Sequence, residues 1–349
     1  MRKFDYTFLK KISVPADIMN SATSIYEMKA KAELRRSDFA EVFSAMESVA
    51  KIQSVKSSNA IEGIITTDKR IRDIVNKSTA PQGHNELEIA GYRDALDLIH
   101  GSYSEIPFSE KSILELHRIL LQPSGDDLAG RYKTEDNFIM ETDREGVRSV
   151  RFTPVPASET AFAMEQLILA YHAAYSDAEI NPLMLIPCVI LDLLCIHPFR
   201  DGNGRMSRLL SLLLMYKSGF NAGKYVSIEE QINTYKNYYY TSLQKSSERW
   251  HENDNDYFPF IDNFLFNLKM SYFELDSRFA SLKDRKITKK QRIEELVTGS
   301  LLPVSKREIC EKLPDISVTT VEAELARLLK SGRIEKIGNG RGTVYRSCR

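Results

Sequence analysis

With 349 residues, 48 Lys/Arg and 48 Asp/Glu, the chain is long enough for two or three domains and carries no net charge. That balance excludes a global field drawing the whole molecule onto nucleic acid or an anionic membrane. The charge is uneven, however: residues 283–349 hold 16 basic against 9 acidic side chains, so this stretch reads as a separate unit suited to an anionic partner.

The four cysteines, Cys188, Cys195, Cys310 and Cys348, form no CxxC pair and no metal-ligand spacing, which points to a reducing compartment. Cys188 and Cys195 lie in an apolar run, where a free thiol is a small buried hydrophobe. The N-terminal residues contain no apolar signal region. The most apolar segment, Leu183 to Ile196, contains Pro187 and Asp192 and is too short to span a bilayer. A cytoplasmic protein without membrane contact is the expectation.

Helical periodicity dominates the chain, so the expected class is mainly α. Asp38 and Glu41 have the spacing of a capping box. Behind them Phe39, Val42, Phe43, Met46, Val49, Ala50 and Ile52 recur at three and four, giving a helix that runs to Ile61 and stops at Gly63. Residues 64–83 read as a polar connection, Glu86 to Ile99 as a helix closed by Gly101, and Ser109 to Leu121 as a third helix ended by Pro123-Ser124-Gly125. Asn137-Phe138-Ile139-Met140 and Val147 to Phe152, flanking the polar stretch Glu141 to Gly146, predict a β-hairpin. Helices are then expected at Thr160–Tyr175, Leu183–Ile196, Arg205–Lys217, Tyr235–Trp250 and Phe258–Leu282. After a basic linker at Lys283–Lys290, the order Lys306–Leu313, Thr319–Ser331, Arg333–Ile337 and Thr343–Arg346 is helix, helix, hairpin, which suits a winged helix-turn-helix. The domains expected are a helical region at 1–104, a core at 105–282 and the winged helix at 283–349.

Chemistry concentrates between 197 and 208. Gly202 and Gly204 flank Asn203 just before a leucine-rich helix, where glycines let backbone N–H groups turn inward around phosphate oxygens. Arg205 and Arg208 sit three apart at the helix start, where cations oppose the helix dipole unless an anion is bound. Asp201 offers an oxygen donor suited to Mg²⁺ beside phosphates. His197 is the side chain able to accept a proton at neutral pH. A base, a carboxylate, a phosphate nest and two arginines form a kit for phosphoryl or nucleotidyl transfer. The other histidines are poor ligand candidates: His84 and His251 fall in expected loops, and His117 on a packed helix face.

His197-Pro198-Phe199-Arg200-Asp201-Gly202-Asn203-Gly204-Arg205-Met206-Ser207-Arg208 resembles the Fic signature HPFx(D/E)GNGRxxR at every defining position, and the resemblance extends from about residue 57 to 260. It implies a Fic-type helical core that moves AMP from ATP onto a Tyr, Thr or Ser hydroxyl of a target protein. By that resemblance His197 deprotonates the hydroxyl, and Asp201 holds Mg²⁺. Gly202, Asn203 and Gly204 cradle phosphates, Arg200 and Arg205 belong to the phosphate-binding set, Arg208 reaches the γ-phosphate and Phe199 anchors the loop. The hairpin, with Asn137, Phe138, Ile139 and Met140, resembles the flap that docks the target by β-augmentation. Gly130-Arg131-Tyr132-Lys133 resembles the lead-in to that flap, with Lys133 replacing the usual Arg. Tyr239 and Tyr240 resemble a Tyr-Tyr-x-x-Leu segment whose second tyrosine lines the adenine pocket; packing in the core is an alternative for Tyr239.

Ser58, Glu62 and Gly63 match the family's inhibitory motif (S/T)xxxE(G/N). Pairing of Glu62 with Arg208 would place a carboxylate where a γ-phosphate belongs. Intact Gly204 argues for AMP transfer over the γ-phosphate transfer of the Doc-type kinases, which carry lysine there. Removal of AMP at the same site, with Glu62 orienting a water, is a third chemistry, and a DNA-binding regulator with a nucleotide-sensing Fic domain is a fourth reading. For the winged helix, Arg333, Lys336, Arg341 and Arg346 offer phosphate contacts, whereas Glu322 and Glu324 repel them. DNA and a protein partner, a second copy included, are alternatives for that unit.

Overall fold

The computed structural model describes residues 2–142, 146–280, 288–300 and 303–348; the side chains at 37, 38, 41, 142, 280 and 341 lie outside that description. The chain opens with two long helices, α1 (Ala16–Asp38) and α2 (Ala40–Ile61), which meet at Phe39. The helix expected to start at Asp38 is therefore preceded by another, and its flanking residue is Phe39; the Asp38 and Glu41 side chains lie outside the described residues. Ile18 and Ile25, seven apart, form the buried line by which α1 packs on a later helix.

The polar connection at 64–83 contains a short helix, α3 (Asp68–Val75). Thr67 caps it by accepting from Arg70 N, and Ile71, Ile74 and Val75 bury its apolar face. α4 (Gly83–Ser102) runs through Gly101 rather than stopping there. It lies so close to α5 (Glu110–Leu121) that a Cβ on Gly91 would overlap the Leu120 carbonyl. The hairpin is present as β1 (Ile139–Thr142) and β2 (Arg148–Phe152), antiparallel, with Met140 opposite Val150; the part of its turn at 143–145 lies outside the described residues.

α6 (Ala157–Tyr175) leads to α7 (Pro182–Ile196), which Asn181 caps through Leu183 N. Every residue of α7 from Leu183 onward is buried, so it is apolar all round because it is the central helix, not because it meets lipid. No helix among the described residues is long and apolar enough to cross a membrane. The one acid of α7, Asp192, accepts from Tyr6, Tyr257 and Trp250 Nε1 and pairs with Arg2 at 3.3 Å. A buried charge with four partners ties the N-terminal segment to the centre of the fold.

α8 (Asn203–Lys217) packs on α7, and α9 (Ile228–Thr234), α10 (Lys236–Ser247) and α11 (Phe258–Ala280) complete the body. The helix expected at Tyr235–Trp250 thus ends at Ser247, followed by Arg249 with φ +55. One continuous core joins buried side chains from Tyr6 to Phe279.

A second core, from Ile293 to Ile334, belongs to the C-terminal unit. It contains α12 (Lys289–Thr298), β3 (Val304–Ser305), α13 (Lys306–Lys312), α14 (Val318–Lys330), β4 (Ile334–Ile337) and β5 (Val344–Ser347). The sheet order is β3-β5-β4, all antiparallel. The expected linker at Lys283–Lys290 falls partly outside the described residues, and its end is the start of α12, closed by a Thr288–Gln291 capping box. Arg307 on α13 meets Asp68 on α3 at 3.0 Å.

Candidate active site

The turn from α7 to α8 is built by conformations that few residues adopt. His197 follows the last residue of α7 with φ +51, and Gly202 precedes α8 with φ +79. Between them Asn203 closes the loop on itself. Its Oδ1 accepts from Phe199 N at 3.0 Å, and its Nδ2 donates to Phe199 O at 2.8 Å. Both polar ends of that amide make a bond inside the loop, so Asn203 shapes the turn. Phe199, expected to anchor the loop, is fully buried.

His117, on α5, is buried on a packed helix face, as expected, and its contacts with the loop are what the sequence did not mark. Its ring stacks on Phe199 with centroids 3.7 Å apart and planes 9° from parallel. Nδ1 accepts from Gly130 N at 3.0 Å, which leaves the proton on Nε2 to donate to Asp201 O at 3.1 Å. Burial pushes its pKa down to about 4, so the ring is neutral and both bonds persist at neutral pH.

His197 is neutral for the same reason. Burial lowers its pKa to about 4, and the nearby Lys133 charge pushes the same way. Its Nδ1–H donates to Leu194 O at 3.3 Å, so the basic lone pair is on Nε2. His197 lines a cleft with Glu62, Ile139, Gly204, Arg208, Tyr240 and Leu243. Arg151 of β2 lines it too. Nothing in the local sequence marked that arginine, because strand alternation alone decides which way it points.

The first-turn N–H groups of α8 have no partner within the helix and make a natural anion site. Arg205 is in that first turn, but Arg208 is in the second, where the dipole is weaker than the sequence reading supposed. Arg205 is 1% exposed. Its Nη1 lies 2.5 Å from Glu88 Oε2, an ion pair without hydrogen-bond alignment, and its Nη2 is 3.2 Å from Asp201 Oδ2. It braces the underside of the loop. Asp201 itself is 62% exposed. Arg200 points away from the cleft, toward Asp126 at 2.7 Å and Asp127 at 2.5 Å.

Arg208 is buried and meets the end of α2. Its Nη2 donates to Glu62 Oε1 at 2.7 Å and to Ser58 O at 3.0 Å, while Nε donates to Ser58 Oγ at 2.8 Å. Gly63, with φ +80, turns the chain just after this contact. Lys236 Nζ donates to Ile61 O at 2.8 Å and holds the same helix end. Gly204 makes the approach possible, since a Cβ there would overlap the Glu62 carboxylate.

Tyr240 is partly buried on the cleft wall, and Tyr239 is a buried core residue whose ring meets both Tyr240 and Phe260 edge-on. Of the hairpin segment, Phe138 and Met140 are exposed and Ile139 faces the cleft. Asn137 turns inward, donating from Nδ2 to Phe199 O at 3.1 Å. In the C-terminal unit, Arg333 pairs with Glu294 at 2.5 Å and Arg346 with Glu335; Lys306 holds Glu322 at 2.6 Å, and Glu324 is buried against Arg327. The Arg341 side chain lies outside the described residues.

Residues 107–215 match the Fic/DOC family. Among curated relatives, Protein adenylyltransferase Fic of Nematostella vectensis is 31% identical over 179 residues, 49% of this chain and 39% of its own length. Protein adenylyltransferase fic-1 of Caenorhabditis elegans is 30% identical over 194 residues, 54% of this chain and 33% of its own. The chain therefore spans two fifths or less of these relatives. A solved Fic family protein from Desulfovibrio desulfuricans G20 superposes with a TM-score of 0.64 at 18% identity, covering 97% of both chains. Fic-1 of C. elegans, residues 134–508, superposes at 0.57 with 22% identity over 76% of this chain and 75% of that one. The fold is thus shared with Fic proteins over nearly the whole described length, and the segment that matches the Fic/DOC family takes in the entire His197–Arg208 turn.

Proposed function

We propose that this protein transfers AMP from ATP to a hydroxyl of a target protein, and that it restrains itself through Glu62. One observation carries the reading: a neutral His197, basic at Nε2, shares a cleft with the N-terminus of α8 and the Arg208 guanidinium. Nε2 takes the proton of the target hydroxyl while its oxygen attacks the α-phosphorus. The bond to the β-phosphate oxygen breaks, and pyrophosphate leaves. The α8 N–H groups hold the phosphates, and Tyr240 and Leu243 form the wall for the base. Phe138, Ile139 and Met140 receive the target strand along β1.

Mg²⁺ takes one or two carboxylates with phosphate oxygens and water, and Asp201, exposed beside the nest, fits that demand. Among the described residues no three His, Cys, Asp or Glu converge to hold an ion by themselves, so the nucleotide would supply most of its ligands. Bound there, the ion neutralises phosphate charge.

With α-³²P-ATP and Mg²⁺, label is expected on protein, with pyrophosphate released; γ-³²P-ATP is expected to leave protein unlabelled. Label from the γ position alone would make the site a kinase. For the C-terminal unit the reading is a winged helix-turn-helix that docks protein. The ion pairs at Arg333 and Arg346 favour this over DNA by neutralising two of the expected phosphate contacts. Salt-dependent retention of random duplex DNA on a filter would overturn it.

A further inference from the structure

Lys133 is a buried cation in a place where burial is costly, and its contacts show what it holds. Its backbone N–H donates to Pro198 O at 2.9 Å. Its Nζ donates to Asn137 Oδ1 at 2.7 Å and to Ile196 O at 3.3 Å. Ile196 is the last residue of α7, an end that favours positive charge, and its peptide leads directly into His197. Asn137 is two residues before β1, and its own amide reaches on to Phe199 O. One side chain thus spans from the root of the hairpin to the peptide that carries the histidine.

We infer that Lys133 is a positioning residue that fixes the base-bearing turn and the target-docking hairpin as one piece, and that it does so as a cation. A charge-assisted bond is roughly twice as strong as a neutral one, so losing the charge loosens both contacts while leaving the fold in place. Burial lowers the Lys133 pKa to about 8, with Asp136 pulling the other way. The charged and titratable groups around it are Asp136 in its own segment and His197 at the end of α7. The cation is therefore present at pH 7 and lost as pH rises through about 8. The functional consequence rests on the transfer reading above; the structural one does not.

The test uses the full chain carrying Glu62→Gly, with α-³²P-ATP and Mg²⁺, and self-labelling in place of an unidentified target. Self-labelling is expected to fall above about pH 8, and Lys133→Arg, which stays charged, is expected to remove that alkaline limb. Lys133→Met is expected to lower labelling at pH 7 roughly 10–100-fold with ATP affinity unchanged, since small misplacements of reacting groups carry such costs. An unchanged alkaline limb in Lys133→Arg, or wild-type labelling by Lys133→Met, overturns the inference. If Lys133→Met does not fold, the Lys133→Arg profile decides. In the wild-type chain, NMR signals of the Lys133 amide and the Asn137 side-chain amide should shift together with a midpoint near pH 8. That measurement needs no activity. If labelling is absent at every pH, the transfer reading fails, and the joint shift still supports the brace while its absence overturns it.

Discussion

Arg208 and Glu62 meet at 2.7 Å, with Ser58 filling two further donor positions of the same guanidinium. The pair joins a helix end that disfavours negative charge to an arginine that faces the cleft lined by His197. Glu62→Gly is expected to raise self-labelling and target labelling, with the gain in turnover rather than in nucleotide affinity. A misaligned α-phosphate costs on the order of 10²-fold in rate, which sets the scale of the gain. Ser58→Ala should give a smaller rise, because the carboxylate remains. Arg208→Ala should give none, since it removes the γ-phosphate partner with the brake. Equal turnover of wild type and Glu62→Gly at saturating ATP and Mg²⁺ would reduce Glu62 to a helix-end residue.

His197→Ala is expected to lose transfer by about 10²–10⁴-fold while binding ATP nearly as well as wild type. In the proposed transfer the histidine acts on the target hydroxyl, whereas α8 and Arg208 hold the nucleotide. Calorimetric titration of the variant with ATP, beside a labelling assay, separates the two effects. Wild-type labelling would place the base elsewhere.

Acid should unfold this protein at milder pH than its carboxylates alone would dictate. His100, His117 and His197 are held neutral by burial, with pKa values lowered from 6.5 to about 3, 4 and 4. Between pH 6.5 and about 4 the unfolded chain binds protons at these rings that the folded chain refuses, so stability falls as pH falls through that window. The combined loss near pH 4 is on the order of several kcal/mol. Urea unfolding from pH 7.5 to 4.5 reads the slope, and His100→Gln should flatten it.

His117→Ala removes the ring that stacks on Phe199 and the two bonds that hold Gly130 and Asp201. Such a change should lower the urea midpoint, with a cost of roughly 2–4 kcal/mol from cavity and lost hydrogen bonds. His117→Phe keeps the stack and loses the bonds, so its midpoint should fall between those of wild type and His117→Ala.

The 197–208 turn was legible because its chemistry is local: one helix end, two glycines and their neighbours. The Glu62–Arg208 contact was legible because Glu62 stands at a helix end that opposes its charge and Ser58, Glu62 and Gly63 match a motif, although Arg208 lies one turn further into α8 than expected. What escaped were contacts made across the fold. Glu88 against Arg205 and His117 against Asp201 depend on how α4 and α5 pack under the loop, and no local spacing encodes that. Asn203 was read as cradling phosphate and Asn137 as part of the docking hairpin; the bonds that both amides make to Phe199, and that of Asn137 to Lys133, become visible only once the turn is built. α1, α3, α9 and α12 were missed because weak or brief amphipathicity is outweighed by tertiary packing.

In the proposed reading, Gly204 gives the brake and the phosphate nest a shared space. The missing side chain is what admits the Glu62 carboxylate to the start of α8, and a methyl group there would overlap it. A selection for hyperactive variants should therefore return changes at two positions far apart in sequence. Substitution at 62 frees the cleft cleanly. Substitution at 204 evicts the same carboxylate but leaves a foreign methyl where phosphate oxygens approach, so it should recur less often and carry a weakened hold on ATP. The ratio of the two classes among recovered alleles would measure how much of the glycine's value lies in restraint and how much in catalysis.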